Sequence, residues 1–227
     1  MKKMSTLFKK DPSNLGHVIN EINPENSWVF TDKGVKATRK FDGTSCAIIG
    51  GKLYKRYDAK LDKSSGRAKP KRKIPDGAIE CCPADMKSGH WPHWVPCHKD
   101  NPADKYHWEA WDKLSENNQF FKKDQLGFSG DGTYELCGPK VQGNPEGLED
   151  HILIRHGSQE LNMIGPDDTF GLVVYGNEAA SWMFEDFKGF LEDQNIEGIV
   201  FHHPDNRPND ANNRYCKLRK SDFGLER

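Results

Sequence analysis

Short apolar runs with alternating polar positions outnumber helical stripes along this chain. Thr44 to Ile49 is a β-branched, apolar run, Gly50-Gly51 supplies a two-residue turn, and Lys52 to Tyr57 reads as the return strand. Further strand signals lie at Gly132 to Cys137, closed by Gly138-Pro139, and at Ile152 to Arg155, Ile196 to His202 and Arg214 to Arg219. Phe170 to Tyr175 is a nearly continuous apolar run of the kind found in buried strands. Helical spacing is clearest at Trp182, Phe184, Phe187, Phe190 and Leu191 within Ser181 to Gln194, with Ser181 as an N-cap candidate. Tyr106, Trp108 and Trp111 predict a second, surface helix over Ala103 to Asn117. Leu15, Val18, Ile19 and Ile22 predict a short helix in an approach segment covering residues 1–30. The pattern is that of an α+β protein. Strand signals continue nearly to the last residue and no internal repeat is visible, so one domain over 1–227 is expected.

Composition narrows the class. Of 227 residues, 35% are hydrophobic and 30% charged, so the core is modest and the surface large. Aromatics at 11%, six of them Trp, repay burial and argue against disorder. With a net charge of −1, any surface that attracts a polyanion must be local. Neither a secretory apolar segment nor a run long enough to span a membrane is visible, and the six Cys read as reduced thiols. A soluble cytoplasmic protein without a membrane partner is expected.

Residues 59–108 read as a basic, His/Cys-rich insertion. The stretch Lys55 to Lys73 holds nine basic residues against two acidic ones, interspersed with Ser64, Ser65, Gly66 and Pro70. It reads either as a solvated loop or as a loop that tracks phosphates. Cys81 to His107 reads as irregular and contains Cys81, Cys82, His90, His93, Cys97 and His98. The spacing gives neither a Cys-x2-Cys knuckle nor a Cys2His2 pattern, which disfavours a structural Zn²⁺ against Trp-and-His loop packing.

Chemistry concentrates around Lys40-Phe41-Asp42-Gly43. The hairpin after it would return Arg56 to the start of the run, so that an amine and a guanidinium share one end of a sheet, a site for phosphate. Alternation sets Tyr215, Lys217 and Arg219 on one face of the last strand and Cys216 and Leu218 on the apolar side. Glu197 stands next to a glycine, which permits close approach of a ligand. Glu135 stands in an otherwise apolar strand, where a carboxylate needs a partner. Each of these also reads singly as a solvated strand charge or an ordinary Asp-Gly turn.

In this order the pieces resemble the covalent nucleotidyltransferase superfamily, the ATP-dependent polynucleotide ligases and mRNA-capping guanylyltransferases. Lys40-Phe41-Asp42-Gly43 resembles motif I, Tyr134-Glu135 motif III, Phe170 to Tyr175 motif IIIa, Glu197-Gly198-Ile199-Val200 motif IV and Lys217-Leu218-Arg219 motif V, with Lys220 as the alternate second cation. Glu135 to Pro145 is similar to the small RNA ligases that join 5′-phosphate and 3′-hydroxyl ends, of the vertebrate type. The resemblance implies the nucleotidyltransferase fold of antiparallel sheets flanked by helices. Only seven residues follow Lys220, so no C-terminal OB domain is expected.

It further implies that Lys40 carries AMP from ATP, with Lys217 and Arg219 stabilising the α-phosphate. Glu197 would position Mg²⁺, with Mn²⁺ as an alternative, and Glu135 would hold the ribose hydroxyls. Arg56 would hold ribose or an incoming phosphate, and Phe170 would stack on the base. Thr38, Asp42, Gly43 and Lys220 complete the expected nucleotide contacts. Such a lysine attacks as the free amine, whereas an ordinary lysine is protonated at neutral pH. Cations nearby (Arg39, Lys217, a metal ion) and partial burial are the means of freeing it. The expected partner is RNA. The rival readings are a DNA ligase or capping-type enzyme, and a non-catalytic RNA-binding or zinc-containing module.

Overall fold

The computed structural model describes residues 4–62, 64, 69–116, 123–124, 127–128, 130–161, 176–207 and 213–226. In chain order the strands are β1 (Ser5–Thr6), β2 (Phe8–Lys10), β3 (Val18–Ile22), β4 (Lys36–Lys40), β5 (Thr44–Ile49), β6 (Lys52–Lys60), β7 (Ile79–Glu80), β8 (His90–Pro96), β9 (Lys123–Asp124), β10 (Gly127–Phe128), β11 (Gly132–Cys137), β12 (Ile152–Arg155), β13 (Gly198–His202) and β14 (Tyr215–Arg219). The helices are α1 (Trp28–Thr31), α2 (Lys105–Glu116) and α3 (Gly176–Asp193). The mixture of several sheets and few helices is α+β, as the pattern predicts. Two compact units form, one from Asp42–His156 and one from Lys3–Phe41 with Gly157–Arg227.

In the terminal unit a four-stranded sheet runs β1-β14-β13-β4, beside a two-stranded ribbon of β2 and β3. All pairs are antiparallel except β1, which lies parallel to β14. Alternation along β4, β13 and β14 turns Ala37, Ile199, Phe201, Cys216 and Leu218 into the core, where they join Leu7, Phe8 and the α3 residues Phe187 and Leu191. Phe187 meets Phe8 at 6.2 Å and Phe201 at 5.6 Å between ring centroids, both edge to face. Each fully buried ring of this kind contributes about 1.5–3 kcal/mol through the area it removes from water.

The middle unit is built on a six-stranded sheet, β12-β11-β5-β6-β8-β7. One of its faces packs Cys46, Ile48, Leu53, Tyr134, Leu136 and Leu153 with Ala110, Trp111 and Leu114 of α2. The β5–β6 hairpin forms as its sequence predicts. Gly50 and Gly51 take φ of 57° and 69°, and the Asp131 carboxylate accepts both their N–H groups at 2.7 and 3.0 Å.

Several expectations need correction. The stretch Leu15 to Ile22 contains no helix: Leu15 is 74% exposed and Val18–Ile22 is a strand paired with β2. Without Leu15 in the core the helical stripe disappears, and a period of two explains Val18 and Ile22 equally well. Helix α3 begins at Gly176, so Ser181 lies inside it and cannot cap it. The stretch from Cys81 to His107 is not irregular, since β8 runs through it and pairs with β6 along its whole length. The basic stretch from Lys55 is strand up to Lys60 rather than loop. Lys40 and Arg56 lie on different sheets, because the chain leaves the four-stranded sheet at Phe41 and starts the six-stranded one with β5. The apolar run Phe170 to Tyr175 lies outside the described residues.

Candidate active site

The polar residues expected to carry chemistry fall into two clusters, one in each unit. In the terminal unit, register aligns Gly198 of β13 with Lys40 of β4 on one side and Arg219 of β14 on the other. Val200, two residues on, lies between Thr38 and Lys217 in the same way. Residues opposite one another share a face, so Thr38, Lys40, Lys217 and Arg219 all stand on the side turned away from the Phe201 and Leu218 core. No side chain separates Lys40 from Arg219. A Cβ at Gly198 would strike the Leu218 carbonyl oxygen and lie 2.9 Å from the Arg219 Cα, so only glycine fits this strand pairing.

Glu197 immediately precedes β13, and its Oε2 accepts a hydrogen bond from the Lys40 ammonium at 2.5 Å. The two side chains are 9% and 20% exposed, so the pair is largely screened from water. The Lys220 N–H donates to the Glu197 carbonyl at 3.0 Å and fixes the backbone there. Burial pushes Lys217 down to about 8, and Arg219 and Lys40 add to the shift against the opposing pull of Asp222 and Glu197.

Arg219 is held from behind by Asp222, which accepts from its Nη2 at 2.8 Å and from its backbone N–H at 2.9 Å. Lys10 reaches the same carboxylate at 2.6 Å. Burial pushes the Asp222 carboxyl up, but the hydrogen bonds and charges of Arg219 and Lys10 outweigh it and hold the group below the ordinary carboxylate range. Neither Asp222 nor Lys10 is singled out by sequence reasoning. A buried Asp three residues after a site arginine is the one local signal; Lys10 has none. Thr38 is buried and pairs its Oγ1 with His202 Nε2 at 2.8 Å. Arg39, expected as a neighbouring cation, points to the opposite face of β4 from Lys40 and sets its guanidinium 4.8 Å from the Phe41 ring centroid.

In the middle unit a row crosses the six-stranded sheet on the face opposite α2. Ile154, Glu135 and Ser45 are successive partners, and Arg56, Trp94 and Ile79 are successive partners farther across. Arg56 follows Lys55, the partner of Cys46, so the hairpin does return it towards the start of β5. Glu135 accepts from the Gly43 N–H at 3.2 Å through one carboxylate oxygen and contacts His156 Nε2 at 2.8 Å through the other. His156 Nδ1 lies 2.9 Å from Thr133 Oγ1, which fixes the ring plane. Glycine is required at 43, because a Cβ there would strike the Leu136 carbonyl oxygen and lie 2.9 Å from Cys137 Sγ. The Asp42 N–H donates to Glu146 at 3.2 Å. Arg56 pairs with Asp58 at 2.9 Å and sits 5.7 Å from the Trp94 ring centroid. His156, Glu146 and Ser45 add to the residues that the sequence singled out, and the buried Ser45 Oγ has no hydrogen-bond partner among the described residues. Phe170 lies outside them.

No protein-family model matches the chain. It is 29% identical to RNA ligase 1 of Pongo abelii, over 73% of this chain and 62% of that protein. The chain thus spans less than two thirds of the length of this relative. Among the described residues no helix is long and apolar enough to cross a membrane.

Proposed function

We propose that the chain is an ATP-dependent RNA ligase that joins 5′-phosphate and 3′-hydroxyl RNA ends through a covalent lysyl-AMP on Lys40. One observation carries this reading: the Lys40–Glu197 contact on a sheet face that also bears Lys217 and Arg219 and turns away from the core. The similarity to RNA ligase 1 supports it. As the free amine, Lys40 Nζ attacks the α-phosphorus of ATP, a P–N bond forms, and the P–O bond to pyrophosphate breaks. Glu197, in hydrogen-bond contact with that nitrogen, is the group to which its proton passes.

Lys217 and Arg219 stabilise the charge that spreads over the phosphate oxygens. At pH 7 Lys217 is still roughly nine-tenths protonated if its midpoint is about 8, and so keeps its charge for this task. The carboxylate of Glu197 is a hard oxygen donor that fits Mg²⁺, with Mn²⁺ as an alternative. Such an ion, when bound, supplies charge neutralisation at the phosphates. Glu135 holds the ribose hydroxyls, with its carboxylate oriented by His156 and Gly43. Arg56 holds ribose or the incoming phosphate. AMP then passes to the RNA 5′-phosphate, and attack by a 3′-hydroxyl seals the strand and releases AMP. The exposed Lys69, Lys71, Arg72 and Lys73 are the RNA grip, since clustered cations bind a polyanion by releasing its counterions.

The test is incubation with α-labelled ATP and Mg²⁺ followed by a denaturing gel. Label should stay on the native chain and be absent from Lys40→Ala. An unlabelled native chain, or a labelled Lys40→Ala chain, overturns the reading.

A further inference from the structure

Where β8 passes into α2 the middle unit gathers three metal-ligating side chains that the proposed chemistry does not use. Cys97 follows β8 and continues its pairing, its N–H donating to the Leu53 carbonyl at 3.0 Å. Asp104 closes the short 3₁₀ turn Pro102–Asp104, which Asn101 caps by accepting from the Ala103 N–H. His107 stands three residues later in the first turn of α2, on the same helical face as Asp104. A thiol sulfur, a carboxylate oxygen and an imidazole nitrogen thereby come within 4.8 Å of one another.

Burial makes this cluster unusual. Cys97 is 7% exposed, Asp104 0% and His107 7%. Neither ring nitrogen of His107 has a hydrogen-bond partner among the described residues. The large majority of buried polar side-chain atoms have a hydrogen-bond partner, so a buried imidazole with neither nitrogen engaged calls for an explanation. Asp104 is oriented as metal-ligating carboxylates commonly are: its Oδ2 accepts from the His98 N–H and from Asn101 Nδ2, both at 3.0 Å. Its Oδ1 meets the Lys55 ammonium, so a positive charge already stands beside the carboxylate.

We infer that Cys97, Asp104 and His107 form a binding site for a single zinc ion. Sulfur, nitrogen and a single carboxylate suit Zn²⁺ and not Mg²⁺, which takes oxygen ligands. Bonds of about 2.0–2.3 Å on a tetrahedral ion separate its ligands by roughly 3.5 Å, which small side-chain rotations reach from the observed spacing. On binding, the Cys97 sulfur exchanges its proton for the metal and the proton leaves to solvent. The fourth position falls to water or to a group not among these three. Zinc would compete with Lys55 for the carboxylate, and a search of Cys and His spacing misses the site because one ligand is an aspartate.

Cobalt substitution tests the site independently of any activity. The untagged chain is stripped with chelator and titrated with Co²⁺, with absorbance followed through the visible and near ultraviolet. One cobalt per chain should bind with tetrahedral visible bands and a thiolate-to-cobalt charge-transfer band, and Zn²⁺ should bleach both. Cys97→Ser should lose the charge-transfer band, His107→Gln should weaken binding about tenfold or more, and Cys81→Ser/Cys82→Ser should leave the spectrum unchanged. Lys55→Met, which removes the competing ammonium, should bind zinc more tightly and be restored in thermal stability by it. Absence of a charge-transfer band in the native chain overturns the site. So does a band that survives Cys97→Ser, or a Lys55→Met chain whose zinc affinity is not raised.

Discussion

Lys40 Nζ and Glu197 Oε2 lie 2.5 Å apart, across 157 residues of sequence. The contact joins the end of β4 to the residue before β13, and the strand pairing of Lys40 with Gly198 is what makes it. If Glu197 receives the proton from Lys40, Glu197→Gln should keep the fold, because the isostere still hydrogen-bonds the amine. Self-adenylylation should drop by about two orders of magnitude or more. Circular dichroism and the labelled-ATP gel, run side by side, check both halves of the statement.

On the proposed function, Lys217 ties adenylylation to pH. Its protonation midpoint, lowered from 10.5 to about 8, means that its charge fades as pH rises through 8. Self-adenylylation should therefore fall on that limb, and Lys217→Arg should carry whatever activity it retains to higher pH. Stability moves the other way. Between about 8 and 10.5 the unfolded chain binds the proton and the folded one does not, so this group makes stability rise with pH in that window. Below 8 its burial costs the fold about 1–3 kcal/mol. Lys217→Met should thus abolish catalysis while raising the thermal midpoint at pH 7, a combination that calorimetry and the gel assay detect together.

Asp222 contributes in the opposite sense. Its carboxyl titrates below the ordinary range in the folded chain, so its contribution is present above the unfolded value and lost as pH falls through the folded one. Asp222→Asn should cost about 2 kcal/mol at pH 7 and flatten the acid limb of the stability profile, measured by urea unfolding from pH 7 to 3. Because Arg219 loses its anchor, adenylylation should weaken as well.

The backbone of β14 requires glycine at 198. Gly198→Ala should destabilise the chain by about 1–3 kcal/mol, since its Cβ would press on the Leu218 carbonyl of β14. Chemical denaturation measures the loss, and an unchanged midpoint would contradict the strand pairing described.

Histidine 156 acts through Glu135. On the proposed function, His156→Ala should raise the ATP concentration for half-maximal adenylylation about tenfold and change the maximal rate little, because it frees the carboxylate assigned to the ribose. Single-turnover adenylylation rates over a range of ATP concentrations separate the two.

How much of this could be read beforehand differs from one residue to the next. The Gly50-Gly51 hairpin and the two faces of β14 follow from turn chemistry and a period of two, both local. Order along the chain groups Lys40, Glu197, Lys217 and Arg219 as candidates, and the sheet register sets them on one unit. What local patterns could not supply was partnership across long separations. Lys10 reaches Asp222 over 212 residues, and nothing near either end announces it. Arg39 misled because adjacency in sequence means opposite faces in a strand. The helix expected around Val18 failed because one exposed residue, Leu15, completed a false stripe. The Cys97, Asp104 and His107 group escapes a Cys and His search because Asp104 belongs to a residue type too common to notice.

The two-residue strand β1 has a practical consequence. It lies along the outer side of β14, with Thr6 opposite Lys217 and the Leu7 N–H bound to the Lys217 carbonyl at 3.0 Å. A variant trimmed by its first seven residues would bare that rim and leave a gap where fully buried Leu7 stood. Unclothed strand borders recruit other chains, so such a variant should self-associate and scatter light before it unfolds. The strand that bears Lys217 and Arg219 would then be the first part of the molecule to be captured by a neighbour.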